Sequence, residues 1–295
     1  MQNKQQKKGR NWFVLVFLVV AVVGLAGVSF VPIFSELFSG NPAQTSTPNP
    51  TATLSSRQKE LQDLEKSYLI VLEREPDNAN VLESLVDTRV QMISLGLKKP
   101  ADLVDPLTKL VKLFPERTNY QVALAQSQAG AGDLDAASDS FRAILAKDAG
   151  NLRAMQGLVE VLVQQKRPQV AVEILQTTLT TAKKVNQIQP GKIDELAINL
   201  LLAQVYAEQQ DYTPALTIYD DLIKASPKDF RPFYYKAVAL RAQGNTAEAQ
   251  TFFQSAAALA PEQEKVQIKA VAEQGTAPNS APSPSAPASP PDGGE

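Results

Sequence analysis

The chain has 295 residues, 44% hydrophobic and only 6% aromatic, and 29 basic against 31 acidic residues leave a formal net charge of -2. It contains no Cys and no His, which excludes disulfides, thiolate nucleophiles and Cys-based zinc or iron–sulfur sites, and removes the commonest general base and metal ligand. With no basic excess to neutralise phosphates, nucleic-acid binding is not expected; only carboxylates, Lys and Tyr remain for chemistry, so no catalytic, cofactor or metal site is expected.

Residues 1–11 form a basic polar tail, with Lys4, Lys7, Lys8 and Arg10 and no acidic residue. From Trp12 to Val31 the chain carries no charge. At 1.5 Å per residue this run spans about 30 Å, the hydrocarbon thickness of a bilayer. Trp12 suits the interface, and Pro32 closes the run. Residues 12–32 are therefore expected to be a single membrane anchor. The alternative is a cleavable signal peptide, but such peptides have shorter apolar regions, and Ala26-Gly27-Val28-Ser29 is a poor cleavage sequence. Positive charge precedes the span, and no basic residue follows it until Arg57. That asymmetry favours a cytoplasmic N-terminus, with the rest of the chain across the membrane in a periplasm or lumen. Residues 33–56 include the uncharged, Pro- and Thr-rich stretch Ser39–Ser56, and are expected to be a linker.

From Arg57 onward the apolar spacing is helical. Leu61, Leu64, Tyr68 and Leu72 define a first helix closed by Glu75-Pro76-Asp77. Leu82, Leu85 and Val86 open a helix pair that ends at Pro115, with an insertion of about five residues near Gly96–Pro100. The next pair holds Leu124, Ala125, Gly132, Ala137, Phe141 and Ile144, with Asp133 placed to cap its second helix. A third has Leu158, Val159, Leu162, Ala171 and Leu175, with Pro168 at the start of its second helix. That helix runs on through Thr181 and Lys184 towards Pro190, an insertion of about seven residues. The fourth pair holds Asn199, Leu202, Ala203, Tyr206, Ala215, Tyr219 and Pro227. The fifth holds Phe233, Ala237, Leu240, Gly244, Ala249, Phe253 and Pro261. A last helix to Glu273 carries Glu262, Glu264, Lys265 and Lys269, the polar outer face of a cap. Residues 275–295 are rich in Pro, Ser and Ala, and are expected to be disordered.

The spacing Asn199-x2-Leu202-Ala203-x2-Tyr206, then Ala215-x3-Tyr219, then Pro227 resembles the 34-residue tetratricopeptide (TPR) repeat. Residues 80–261 as a whole are similar to an array of such repeats. The resemblance implies an all-α, right-handed α-solenoid of about five helix pairs with capping helices, covering residues 57–274 and preceded by the transmembrane helix. The layout of basic tail, membrane helix, Pro/Thr-rich linker and repeats resembles membrane-anchored TPR proteins of cyanobacteria and plastids, including the Slow Green type. That implies a protein-interaction scaffold assisting assembly or biogenesis of membrane complexes, photosynthetic ones among them. A periplasmic factor of envelope assembly or secretion is the alternative, and an enzyme is the least expected.

Arrays of this family bind partners on a concave face lined by the first helix of each pair. The repeat frame places Asn80, Glu83 and Asp87 there, then Asn119, Val122 and Gln126, Arg153, Gln156 and Glu160, Leu200 and Gln204, and Arg231, Tyr234 and Arg241. The expected groove is Asn119, Gln126, Arg153, Gln156, Gln204, Arg231, Tyr234 and Arg241. Amides bond the backbone of an extended segment and Arg pairs with carboxylates, so an acidic partner segment is expected. Its expected centre is the last two pairs, where Gln204 would stand beside Arg231, Tyr234 and Arg241. The alternatives are a merely solvated helix face and, for Tyr234, packing between helices. The chaperone-binding subset of the family uses Lys and Asn at positions that here hold Glu83 and Asp87, Val122 and Gln126, and Gln156 and Glu160. A terminal carboxylate of the EEVD type is therefore not an expected ligand. Asp220-Asp221 and Asp133-Leu134-Asp135 read as surface and cap residues rather than a metal site, and Gly130-Ala131-Gly132 reads as an interhelix turn.

Overall fold

Helix entries are set by side chains that accept the first free backbone N–H groups. Asn78 accepts from Val81 N at 3.3 Å, Asp133 from Ala136 N at 3.2 Å and Asn151 from Ala154 N at 3.0 Å. Asp194 accepts from Ala197 N and Asp229 from Arg231 N, each at 2.9 Å. Each cap satisfies a donor that the helix itself leaves without a partner. Pro168 begins its helix at the first position, as expected from its missing N–H.

The computed structural model describes residues 50–273. They form α1 (Pro50–Arg74), α2 (Ala79–Ser94), a 3-10 turn (Pro100–Leu103), α3 (Val104–Leu113), α4 (Thr118–Gly130) and α5 (Leu134–Lys147). There follow α6 (Leu152–Gln164), α7 (Pro168–Ile188), α8 (Glu195–Glu208) and α9 (Tyr212–Ala225), then α10 (Phe230–Gln243), α11 (Thr246–Leu259) and α12 (Glu262–Glu273). No strand occurs among the described residues. The described residues divide into two compact units, one up to Pro227 with α1–α9 and one from Lys228 with α10–α12.

In the first unit α1 lies on α2, and the pairs α2/α3, α4/α5, α6/α7 and α8/α9 follow, each packed on the second helix of the pair before it. The first helices α4, α6 and α8 also touch one another in sequence. This is the stacking of an α-solenoid, in which each helix pair buries the apolar face its neighbour exposes. Small residues allow the close approach: Ala125 and Ala137, Ala171, and Ala203 and Ala215 are fully buried where paired helices meet. Leu82, Leu85, Leu103, Leu107 and Leu110 form one apolar cluster, and Phe141, Leu158, Leu162, Leu175 and Leu202 belong to a second. In the second unit α10 pairs with α11, around buried Ala237, Ala249 and Phe253, and α12 packs on α11 through Ile268, Val271 and Ala272.

One turn recurs in all five pairs. Gly96, Gly132, Lys166, Gln210 and Gly244 have φ of 72°, 87°, 60°, 63° and 99°. The residue after each donates its N–H to the carbonyl five positions back: Leu97 to Met92, Asp133 to Gln128, Arg167 to Leu162, Asp211 to Tyr206 and Asn245 to Leu240, at 2.8–3.0 Å. This hydrogen-bond pattern closes the helix end with a left-handed residue. Glycine adopts that conformation readily, whereas Lys166 and Gln210 do so at a steric cost.

Both insertions are tied down. The first forms the 3-10 turn, where Arg89 donates to the buried carboxylate of Glu65 at 2.7 Å and to the Asp102 carbonyl at 2.6 Å. Lys98 bridges the same carboxylate at 3.0 Å. The second lengthens α7 to 21 residues. There the Asn186 amide pairs with both backbone groups of Ile193, at 2.9 and 3.0 Å, seating Ile193 in the core.

One boundary differs from expectation. α1 begins at Pro50 rather than near Arg57, inside the stretch read as linker. Proline is tolerated in a helix's first turn, and the Thr-Ala-Thr-Leu-Ser-Ser that follows contains no breaker. The expected anchor at Trp12–Val31, the rest of the linker and the tail 275–295 lie outside the described residues. Among the described residues no helix is long and apolar enough to cross a membrane.

Candidate partner-binding groove

The site is built from the touching first helices α4, α6 and α8. On α6, Arg153, Gln156, Glu160 and Gln164 recur every three or four residues and so share one stripe, while Ala154, Met155, Leu158, Val161 and Leu162 between them are buried. α8 contributes Gln204 and Glu208 one turn apart, and α4 contributes Asn119 and Gln126. Val122 and Leu200, also expected on this face, are 4% exposed each and belong to the packing instead.

Hydrogen-bond capacity on this face is largely unused. The side chains of Gln126, Arg153, Gln156, Gln204 and Glu208 make no hydrogen bond among the described residues, and Asn119 only accepts from the adjacent Tyr120 N at 3.0 Å. Glu160 accepts one long hydrogen bond, from Gln164 at 3.4 Å. Burial, and to a smaller degree the charge of Glu160, push the Glu208 carboxyl up to about 7. Glu160 is raised by burial too, which its bond from Gln164 partly offsets. By surface area both carboxylates are nonetheless exposed. The touching helices reconcile the two: water reaches the carboxylates from one side, while neighbouring protein crowds the others and removes part of their hydration. The water access limits the energetic weight of the shifts.

On α2, Glu83 and Asp87 are already engaged. Glu83 accepts from the Tyr120 hydroxyl and lies 3.6 Å from Arg117, which itself donates to Tyr120 at 2.9 Å. Asp87 accepts from Gln91 at 3.2 Å. Burial raises the Tyr120 hydroxyl, and Glu83 raises it further.

The expected centre of the groove, at Arg231, Tyr234 and Arg241, is corrected by the structure. Tyr234 is 4% exposed and packs edge-on against Phe253 at 5.9 Å, so it is core. Its hydroxyl is buried without a hydrogen-bond partner. Arg241 donates to the Val271 carbonyl at 2.7 Å and lies over the Phe253 ring at 4.9 Å, holding α12 to α10. Arg231 clasps Asp229 with contacts of 2.6–3.1 Å. Burial works to raise the Asp229 carboxyl, but the Arg231 hydrogen bonds prevail and hold it low. Gln204 belongs to the first unit and these three residues to the second. The arginines that suggested an acidic ligand are thus committed within the protein. Glu208, which the sequence reading did not single out, lies one helical turn beyond Gln204 and could have been found by extending that stripe. Among the described residues no cluster of three or more acidic, Cys or His groups forms a metal site.

Comparison with known proteins gives two matches to tetratricopeptide-repeat family models, over residues 128–189 and 200–264. Cellulose synthase operon protein C of Pseudomonas fluorescens (strain SBW25) is 27% identical over 175 residues, covering 54% of this chain and 14% of that protein. Cellulose synthase 1 operon protein C of Komagataeibacter xylinus is 27% identical over 143 residues, covering 48% and 10%. The chain thus spans about a seventh or less of the length of these relatives. Among solved structures, a tetratricopeptide repeat protein of Parabacteroides merdae ATCC 43184 has a TM-score of 0.48 at 14% identity, covering 76% of this chain and 88% of that one. Yeast Tom70 also has a TM-score of 0.48, at 17% identity, covering 72% and 42%. From the matched families and the helix-pair repeat in the structure, the chain carries tetratricopeptide repeats, the architecture of a protein–protein interaction scaffold.

Proposed function

We propose that the protein is a membrane-anchored scaffold that grips an extended segment of a partner along α4, α6 and α8 and assists assembly of a membrane complex. The observation that carries the reading is the unused hydrogen-bond capacity of Gln126, Arg153, Gln156 and Gln204 on three touching helices. An extended backbone offers alternating donors and acceptors that amides can meet in either sense. Trp12–Val31 supplies the anchor, and the positive charge before it favours repeats on the trans side, in a periplasm or lumen.

The test is photo-cross-linking in cells from a probe residue at Gln156 or Gln204 of the full chain. Membrane-complex subunits are the expected adducts, and a probe at exposed Asp139 on α5 is the control. Equal labelling from all three positions overturns the groove. Retention of the full chain in carbonate-washed membranes, with protease protection in intact vesicles, tests anchor and sidedness. A second reading, an envelope factor, draws on the two relatives named for cellulose synthase operons; it predicts envelope proteins as the adducts.

A further inference from the structure

Glu160 and Glu208 are the two carboxylates of the groove, on adjacent first helices, and neither has an ion-pair partner among the described residues. The cations that stand elsewhere on first helices or their entries are engaged: Arg117 by Glu83 and Tyr120, Arg231 by Asp229, and Arg241 by the Val271 carbonyl. Arg153 shares a helix with Glu160 but lies seven residues away, about 10 Å along the axis. Two like charges on neighbouring helices repel, and the protein around them weakens the hydration that would otherwise screen them. A ligand cation placed between them relieves both costs at once. Around this point the remaining groups are amides, Gln126 from α4, Gln156 and Gln164 from α6 and Gln204 from α8, with Arg153 the one cation of the stripe.

We propose that the segment bound in this groove is basic, presenting a lysine or arginine side chain between Glu160 and Glu208 while the flanking glutamines take its backbone. This rests on the groove reading above and reverses the charge expected from the sequence. Glu160 and Glu208 then select the partner, and Gln156 and Gln204 hold any extended chain.

The full chain in detergent is applied to an array of nine-residue peptides with randomised flanks and a central Lys, Arg, Glu or Ala. The expected result is about tenfold stronger binding to Lys- and Arg-centred members than to Glu-centred ones. Glu160→Gln with Glu208→Gln is expected to reduce that preference to about twofold or less at unchanged helicity by circular dichroism. Gln156→Ala with Gln204→Ala is expected to weaken all members while keeping the preference. Binding without charge preference, or with preference for Glu, that still depends on Gln156 and Gln204 overturns the basic-ligand proposal and leaves the groove standing. Binding that ignores all four residues overturns both, as does an absence of binding to every member.

Discussion

Gly157 lies on α6 directly under the ring of Phe141 from α5, and Gly157→Ala tests how tightly this pair of helices is packed. A Cβ at position 157 would stand 2.2 Å from Phe141 Cζ and 2.6 and 2.7 Å from its Cε atoms. Carbon atoms rest at about 3.5–4.0 Å, so the ring must withdraw by roughly 1.3 Å or the helices must part. Neither is easy. Phe141 is 1% exposed, and its cluster includes fully buried Ala125, Ala137 and Ala154, which have no side-chain torsion through which to yield. Overpacking of this kind costs about 1–3 kcal/mol, and three clashing ring atoms argue for the upper end. Replacing a helical glycine by alanine returns about 0.8–1 kcal/mol through propensity. The net expectation is a loss of about 2 kcal/mol. It is read as a lower urea midpoint at constant slope, with faster hydrogen exchange in α5 and α6. Phe141→Leu in the same chain removes the obstructing ring atoms, so the double variant should be less destabilised than the sum of the single changes. An unchanged or raised midpoint for Gly157→Ala, or strict additivity with Phe141→Leu, would refute the reasoning.

Three further outcomes follow from the geometry. Gln210→Gly and Lys166→Gly relieve left-handed strain at the interhelix turn and should each stabilise by about 0.5–1 kcal/mol; a lower urea midpoint for either counts against that account of the turn. Tyr234→Phe removes a buried hydroxyl without a partner and should leave stability unchanged or raise it by up to about 1–3 kcal/mol; a clear loss on thermal melting would reveal a partner for that hydroxyl. Burial holds the Glu208 carboxyl up at about 7, against an ordinary value of 4.5. The native chain therefore holds a proton there that the unfolded chain has lost, and this stabilisation is complete below about 4.5 and fades as pH rises through 7. Glu208→Gln should flatten the decline in melting temperature between pH 5 and pH 8; an identical slope in both proteins defeats the assignment.

The helices, their pairing and most of their boundaries were legible in the sequence because the interactions that set them are local. Apolar spacing, Asp133 and Pro168 as helix starters, and the small-residue positions Ala203 and Ala215 act within one repeat of about 34 residues. The interhelix turn was legible at Gly132, but the left-handed residue that closes each turn was not legible at Lys166 and Gln210, where pair geometry overrides side-chain preference. Helical spacing puts Gln156 and Gln204 on the polar stripes of α6 and α8, and their side chains make no hydrogen bond among the described residues. It could not show that Arg231 turns back to Asp229, that Arg241 reaches the Val271 carbonyl, or that Tyr234 is sealed against Phe253. Nor could it place Glu160 near Glu208, which is 48 positions further along the chain. Periodicity reports which side of a helix a residue occupies. Which neighbour then satisfies or crowds it depends on contacts between helices, and those exist only once the pairs have stacked.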